Sequence, residues 1–409
     1  MKIGVVADDL TGALDTGVQF RGWGMSVAVQ MVEGASAAAM RAEVVVVDTE
    51  SREDHPEEAY GKAFRATERL LSGGAEIIYK KVDSTLRGNI GAELDAVMDA
   101  SDAGMAFVAP AYPAHGRTTI EGIHLIDGRP LNETEYRIEA HIPTLIGGQS
   151  SRKVGLVGLE TVRRGPEAVE EEVSHLREEG VEVVVFDSAA ERDLLEVCRA
   201  AGGVDVFVGS AGLASELPQG LGLREVRPAL AICGSTRTLT RRQVAALIER
   251  LGCRSIELDA AKLFNEDDYM DEVGRCAEKT RRALLAGFDV VVGSALDGAA
   301  EEKALNLGES LGCRETEVRS LVEEALGAVA SAVLDGVRVS GLILTGGATA
   351  LSVCKALEVE DFEILEEVEP GIPLLSLTGG LRAVTKAGGF GGEDALIKIV
   401  KHLRRTASR

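Results

Sequence analysis

Short runs of valine, isoleucine and leucine recur along the whole chain, and amphipathic stretches of three or more helical turns lie between them. That alternation calls for βα units. A strand covered on both faces in a parallel sheet is a near-continuous apolar run, and the crossover to the next parallel strand needs a helix. The pattern predicts strands at residues 3–7, 26–31, 44–47, 77–80, 105–108, 154–157, 183–186 and 206–209, then at 229–233, 255–258, 290–292, 341–345, 362–365 and 374–377. Helices are expected over 56–71, 166–179, 240–250, 270–286, 315–334 and 393–404.

Residues 217–228 break the periodic pattern with proline, glycine and charge, which marks a boundary. The expected fold class is therefore α/β with two domains, residues 1–220 and 228–409, each built on a mainly parallel sheet flanked by helices, with an interdomain cleft for a ligand. The chain carries 44 lysines and arginines against 66 aspartates and glutamates, a net charge of −22. Such a field repels polyanions, so no nucleic-acid partner is expected. No apolar run approaches the roughly 18 residues that cross a bilayer, and Asp8 and Asp9 interrupt the N-terminal one; neither a membrane span nor a signal peptide is expected. The cysteines at 198, 233, 253, 276, 313 and 354 form no C-x-x-C pair and read as small core residues in a reducing cytoplasm. The histidines are scattered, so no histidine metal site is expected, and no metal ligand is identified.

Three polar clusters follow strands of the first half, where open parallel sheets hold ligands. The first strand runs into Asp8-Asp9-Leu10-Thr11-Gly12. Asp9 or Thr11 can cap the following helix, but two adjacent acids exceed what a cap needs and suit hydroxyl groups or a metal-bound water better than an anion. The second cluster, Lys80-Lys81-Val82-Asp83-Ser84-Thr85-Leu86-Arg87, combines cations that attract a carboxylate with Asp83 and Ser84, which can fix hydroxyls. Arg52, after the strand at 44–47, adds a cation at the same sheet edge. Together they favour a polyhydroxy acid as ligand. A proline-stiffened loop from Pro110 to Arg117 could wall this site, with His115 in a structural role.

In the second half, Gly234-Ser235-Thr236, Gly346-Gly347-Ala348-Thr349 and Thr385-Lys386-Ala387-Gly388-Gly389-Phe390-Gly391-Gly392 offer backbone N–H groups and hydroxyls, and the first two lead into helices. Such turns can cradle phosphate. Neither G-x-x-x-x-G-K-[ST] nor G-x-G-x-x-G occurs, so a nucleotide here is held some other way, and a nucleotide-dependent oxidoreductase is disfavoured.

Taken in order, Ala7 to Ala13, Thr49 to Arg52, Lys80 to Asn89, Pro110 to Arg117, Gly209 to Ala214, Gly234-Ser235 with Thr240 and Gln243, Thr345 to Gly347, and Thr385-Lys386 with Gly388 to Gly391 resemble the motifs of the four-carbon acid sugar kinase family. That family phosphorylates threonate, erythronate and oxo-tetronates with ATP, binding the acid in the N-terminal domain and ATP in the C-terminal one. The resemblance spans nearly the whole chain. It implies that Asp9, Arg52, Lys81, Val82, Asp83 and Ser84 bind the sugar acid, and that Ser235, Gly346, Gly347, Ala348, Thr349 and Gly389 contact ATP. Asp8, Asp9 or Asp83 would accept the proton of the attacking hydroxyl, Arg52, Lys81 and Arg87 would hold the substrate carboxylate, and Mg²⁺ would accompany the triphosphate. Two departures stand out. Ala348 replaces the aspartate of the usual Gly-Gly-Asp-Thr, and the stretch from Arg137 to Pro143 differs from the family's acidic segment, which bears on the choice of acid. A sugar-acid sensor that binds ATP without turnover is the alternative, and a homodimer is left open.

Overall fold

The apolar runs pair into two large sheets in a computed structural model that describes residues 1–31, 41–294 and 299–407. Contacts divide the chain into two units, Met1–Glu225 and Val226–Arg409. In the first unit the strands are β1 (Ile3–Ala7), β2 (Val27–Met31), β3 (Val44–Asp48), β4 (Ile77–Lys81), β5 (Ala106–Ala109), β6 (Arg117–Ile120), β7 (Ile123–Ile126), β8 (Arg129–Pro130), β9 (Val154–Val157), β10 (Val183–Phe186) and β11 (Val206–Gly209). Eight of them form a sheet in the order β2-β3-β1-β4-β11-β5-β10-β9, and every pairing in it is parallel. Interior strands such as β3 and β10 are buried at every position, which explains their valine-rich runs.

The second unit holds β12 (Leu230–Cys233), β13 (Arg254–Glu257), β14 (Val290–Gly293), β15 (Leu342–Thr345), β16 (Phe362–Glu369), β17 (Ile372–Leu377) and β18 (Arg382–Lys386) in the order β13-β14-β12-β15-β18-β17-β16. Its first five strands are parallel, and the β16–β17 hairpin closes one side antiparallel. β16 is an edge strand whose exposed Phe362, Ile364 and Leu365 alternate with glutamates. Every expected strand is present, most with ends shifted by one or two residues.

Four strands depart from the expected pattern. β6, β7 and β8 form a small antiparallel sheet. Its turns are Glu121-Gly122 (φ 53° and 73°) and Asp127-Gly128 (φ 49° and 77°), the left-handed pairs of two-residue hairpins. β18 lies in the centre of the second sheet, so Thr385 and Lys386, taken as part of a glycine turn, are strand residues.

Each sheet changes direction at its first strand. β3 and β4 flank β1, and β14 and β15 flank β12, which opens a crevice beyond the carboxyl ends of β1 and β12. In register, Ala7 lies level with both Asp48 and Lys81, and Cys233 with both Gly293 and Thr345.

Beneath the first crevice, Lys80 is fully buried and its Nζ lies 3.1 Å from Glu93 Oε2, on the helix Ile90–Ser101, while donating to the Lys81 carbonyl at 2.7 Å. The other Glu93 oxygen accepts from Ser51, whose hydroxyl lies 2.6 Å from that of Thr49, which in turn donates to the Ala7 carbonyl at 2.8 Å. This network joins β1, β3, β4 and a helix below the strand ends. Glu93→Leu leaves the ammonium buried without its acid and is expected to lower stability by about 3–5 kcal/mol in denaturant titrations, whereas adding Lys80→Met should restore most of the loss. A single variant as stable as the parent would remove the pair from this role.

Candidate active site

The acidic turn after β1 and the basic end of β4 meet in the first unit. Asp9 is the N-cap of the helix Leu10–Gly22, accepting from Gly12 N at 2.8 Å. Arg52 reaches across from the loop after β3, donating through Nε and Nη2 to both oxygens of Asp8 (2.7 and 2.9 Å) and through Nη1 to Asp9 (2.7 Å). Burial pushes the Asp8 carboxyl up, but Lys80, the Arg52 fork and Lys81 together hold it below its usual range. Gly88 (φ 95°) allows this approach, since a Cβ there would stand 3.3 Å from Arg52 and 3.5 Å from Asp8.

Lys81 is 4% exposed, and its ammonium has no hydrogen bond or ion pair among the described residues. Burial lowers its pKa against the pull of Asp8, Asp9 and Asp83. A Cβ at Gly12 would fall 2.5 Å from Asp9 Oδ1 and 2.6 Å from Lys81 Nζ, so glycine is needed to let the acid and the ammonium share the helix start. Val82 is a buried backbone anchor, donating to the Gly209 carbonyl at 2.9 Å. Asp83 Oδ2 accepts from Thr85 at 2.7 Å and from Arg87 Nε, and its Oδ1 has no hydrogen bond among the described residues. Burial raises the Asp83 pKa, and the bonds from Arg87 and Thr85 with the charge of Arg52 outweigh it. Two of the three cations expected to hold a carboxylate, Arg52 and Arg87, are thus engaged by aspartates, and Lys81 is not.

The Asp83-Ser84 turn is held from the small sheet. His124 on β7 is fully buried, with Nε2 2.9 Å from the Ser84 carbonyl and Nδ1 3.3 Å from the Thr119 hydroxyl. A carbonyl only accepts, so Nε2 carries the proton and Nδ1 accepts from Thr119. Asp187, after β10, secures the same hairpin by accepting from Glu121 N and Gly122 N at 2.7 and 2.8 Å.

In the second unit, Ser235, Gly346, Gly347, Ala348, Thr349 and Gly389 all line one cavity of about 480 Å³ beyond the ends of β12, β15 and β18. The glycine turns converge closely. A Cβ at Gly234 would stand 2.0 Å from Thr349 Oγ1, and one at Gly388 2.2 Å from Ser235 Oγ. Gly346 adopts φ 107°, whereas Gly347 opens the helix Gly347–Ala356, and a Cβ there would meet nothing within 4 Å, pointing into free space. The loop at 387–392 is fixed from below. Thr240 Oγ1 lies 3.1 Å from the Gly388 carbonyl, Gln243 Nε2 donates to Phe390 and Gly392, and Lys386 Nζ donates to Ala387 and Phe390. Two helix starts and a ring of backbone N–H groups suit an anion. A narrower pocket with apolar walls from Leu305, Val318 and Val322 adjoins it at Gly234 and Thr236.

Sequence reasoning missed Glu93, Ser51, His124 and Arg237. Glu93 carried a signal, for it falls on the apolar face set by Ile90, Leu94 and Val97, where an acid needs a buried partner. His124 and Arg237 carried none.

The family model for a sugar-binding N-terminal domain matches residues 3–217, and that for a nucleotide-binding C-terminal domain matches residues 230–396. The chain belongs to the four-carbon acid sugar kinase family. It is 34% identical to a D-threonate kinase of Salmonella typhimurium over 98% of both chains. It is 30% identical to a D-erythronate kinase of Heliobacterium modesticaldum, over 98% of this chain and 96% of that one. A crystal structure of a Bordetella bronchiseptica protein, a domain-swapped dimer with bound citrate, shares 31% identity over 99% of both chains at a TM-score of 0.62. The buried His124 is expected to give the stability of the first unit a pH dependence.

Burial lowers the His124 pKa from 6.5 to about 4, so the folded state binds fewer protons than the unfolded chain between those values. Its neutral form is fully stabilising above pH 6.5, and stability is lost as pH falls toward 4, by up to about 3 kcal/mol for such a shift. Denaturant melts of the parent and of His124→Gln between pH 7.5 and pH 4 should therefore converge as the pH drops; parallel curves would show that the histidine is not neutral and buried.

Proposed function

We propose that this protein is an ATP-dependent kinase that phosphorylates a hydroxyl of a four-carbon sugar acid of the threonate, erythronate or 3-oxo-tetronate type, with the first unit binding the acid and the second the nucleotide. The observation that carries this reading is Lys81, a buried ammonium without a direct partner at the switch point of a parallel sheet, beside aspartates that can bind hydroxyls. The curated relatives named as threonate, erythronate and 3-oxo-tetronate kinases support it, as does the citrate, also a hydroxy acid, in the Bordetella relative.

Lys81 attracts the substrate carboxylate, and Arg52, with two of its five N–H groups uncommitted, adds donors while fixing Asp8 and Asp9. Asp8, locked by both oxygens to Arg52, is the poorest proton acceptor of the three acids. Asp9, half-buried, and Asp83, with Oδ1 free, are better placed to take the proton of an attacking hydroxyl. Ser84, its carbonyl anchored by His124, presents a hydroxyl to the sugar acid. In the second unit, the three glycine turns bind the triphosphate through backbone N–H groups. Glu323 is the one carboxylate among the described residues lining that cavity, and it has no hydrogen-bond or ion-pair partner among them. One carboxylate with phosphate oxygens is a common Mg²⁺ arrangement, and the bound ion would neutralise phosphate charge.

Six free cysteines accord with a cytoplasmic location, and a homodimer is part of the same proposal because the Bordetella relative is dimeric.

Purified protein with Mg·ATP is expected to release ADP on addition of D-threonate, D-erythronate or a 3-oxo-tetronate, and not with the corresponding uncharged four-carbon polyol. Equal turnover of the polyol would overturn the role of Lys81. ATP binding that no sugar acid converts to ADP would identify a sensor instead.

Gly347→Val adds a branched side chain at the helix start whose Cβ meets no protein atom within 4 Å, so calorimetric affinity for ATP should fall at least tenfold while affinity for the sugar acid and the melting temperature stay close to those of the parent. Undiminished ATP affinity would move the phosphates away from this turn.

A further inference from the structure

Arg237 stands just before the helix Thr238–Leu251, at its N-cap position, where its side chain makes no capping hydrogen bond. The guanidinium lies instead over the third glycine turn. A Cβ on Gly389 would fall 2.8 Å from Arg237 Nη1, and one on Gly388 would fall 3.2 Å from its Cδ, so both glycines leave room for this arm. Arg237 lines the cavity, and its side chain has no hydrogen bond or ion pair among the described residues.

The other cations at this cavity are committed. Arg319, on the helix Glu315–Leu334, pairs with Glu301 at 3.4 Å and Glu315 at 2.8 Å. Lys386 spends its ammonium on the carbonyls of Ala387 and Phe390 at 3.0 and 3.1 Å. With Glu323 also lining the cavity and a chain charge of −22, a polyphosphate entering it meets one cation, among the described residues, that is free to turn toward it.

We infer that Arg237 binds the phosphates of the nucleotide directly, closing over the Gly388-Gly389 turn and supplying a planar, two-pronged donor that the backbone turns lack. The inference rests on the nucleotide reading of this cavity and adds a residue to it. A guanidinium matches two phosphate oxygens at once, keeps its charge at every working pH, and is worth more against a phosphate than a neutral donor. Glutamine at 237 removes the charge and the fork without removing a helix cap, and lysine keeps the charge but not the fork.

Calorimetric titration of Mg·ATP and of inorganic tripolyphosphate against the full-length parent, Arg237→Gln and Arg237→Lys tests this, with sugar-acid affinity and melting temperature measured on each protein. Arg237→Gln should weaken both phosphate ligands by about tenfold or more, flatten the fall of ATP affinity with added salt, and leave sugar-acid affinity and melting temperature as in the parent. Arg237→Lys should recover part of the loss. Parent-like affinity of Arg237→Gln for both ligands, or an equal loss of sugar-acid affinity, would overturn the assignment of Arg237. A parent protein that binds neither ATP nor tripolyphosphate would overturn the nucleotide reading itself.

Discussion

Two consecutive lysines end β4, and the pleat of a strand sends them to opposite faces of the sheet. Lys80 meets Glu93 on one face, and Lys81 rises beside Gly12 and Asp9 on the other. The first cation is neutralised and structural; the second is left without a direct partner. The groups around the end of β1 in the first unit adjust to this asymmetry. Asp8 remains ionised despite its burial because both lysines and Arg52 surround it. Arg52 binds both acids, and Gly12 and Gly88 omit side chains where these groups must approach. A buried charge that is unpaired is costly, and the cost is tolerated where a ligand can offset it.

The second unit reaches a binding crevice by the same topological route and with different chemistry. Its switch strand, β12, runs into Gly234 and Ser235 rather than into acids, and its neighbours contribute backbone rather than charge. The polar residues nearest the turns, Thr240, Gln243 and Lys386, face the loop carbonyls and not the cavity. Directing side chains at the carbonyls leaves the N–H groups for an anion, which is how a loop built of glycine becomes a fixed binding surface.

The α/β class and every strand of the two large sheets but β18 were legible because parallel strands buried on two faces need unbroken apolar runs, and β3 and β10 have them. The small sheet β6–β8 was not, because its strands are too short for periodicity, although Asp127-Gly128 is a recognisable hairpin turn. Among site residues, those next to strand ends in the chain were legible and those brought in from elsewhere were not. His124 acts on Ser84 across 40 positions of sequence, and Glu93 on Lys80 from a different element. The pairing of Arg52 with Asp8 and Asp9 was likewise invisible, since 44 positions separate Arg52 from Asp8 and nothing local indicates which charges will meet.

β16 leaves a row of backbone groups unpaired at the margin of the second sheet, with Phe362, Ile364 and Leu365 exposed along it. Such a margin invites another chain to add a strand. Glu363, Glu366, Glu367 and Glu369 lie along the same eight residues, so two copies pairing edge to edge would bring their carboxylates together. Two of these glutamates are tied within one copy, Glu366 to His402 at 2.8 Å and Glu369 to Lys398 at 2.7 Å, so keeping a second edge away falls mainly to Glu363 and Glu367.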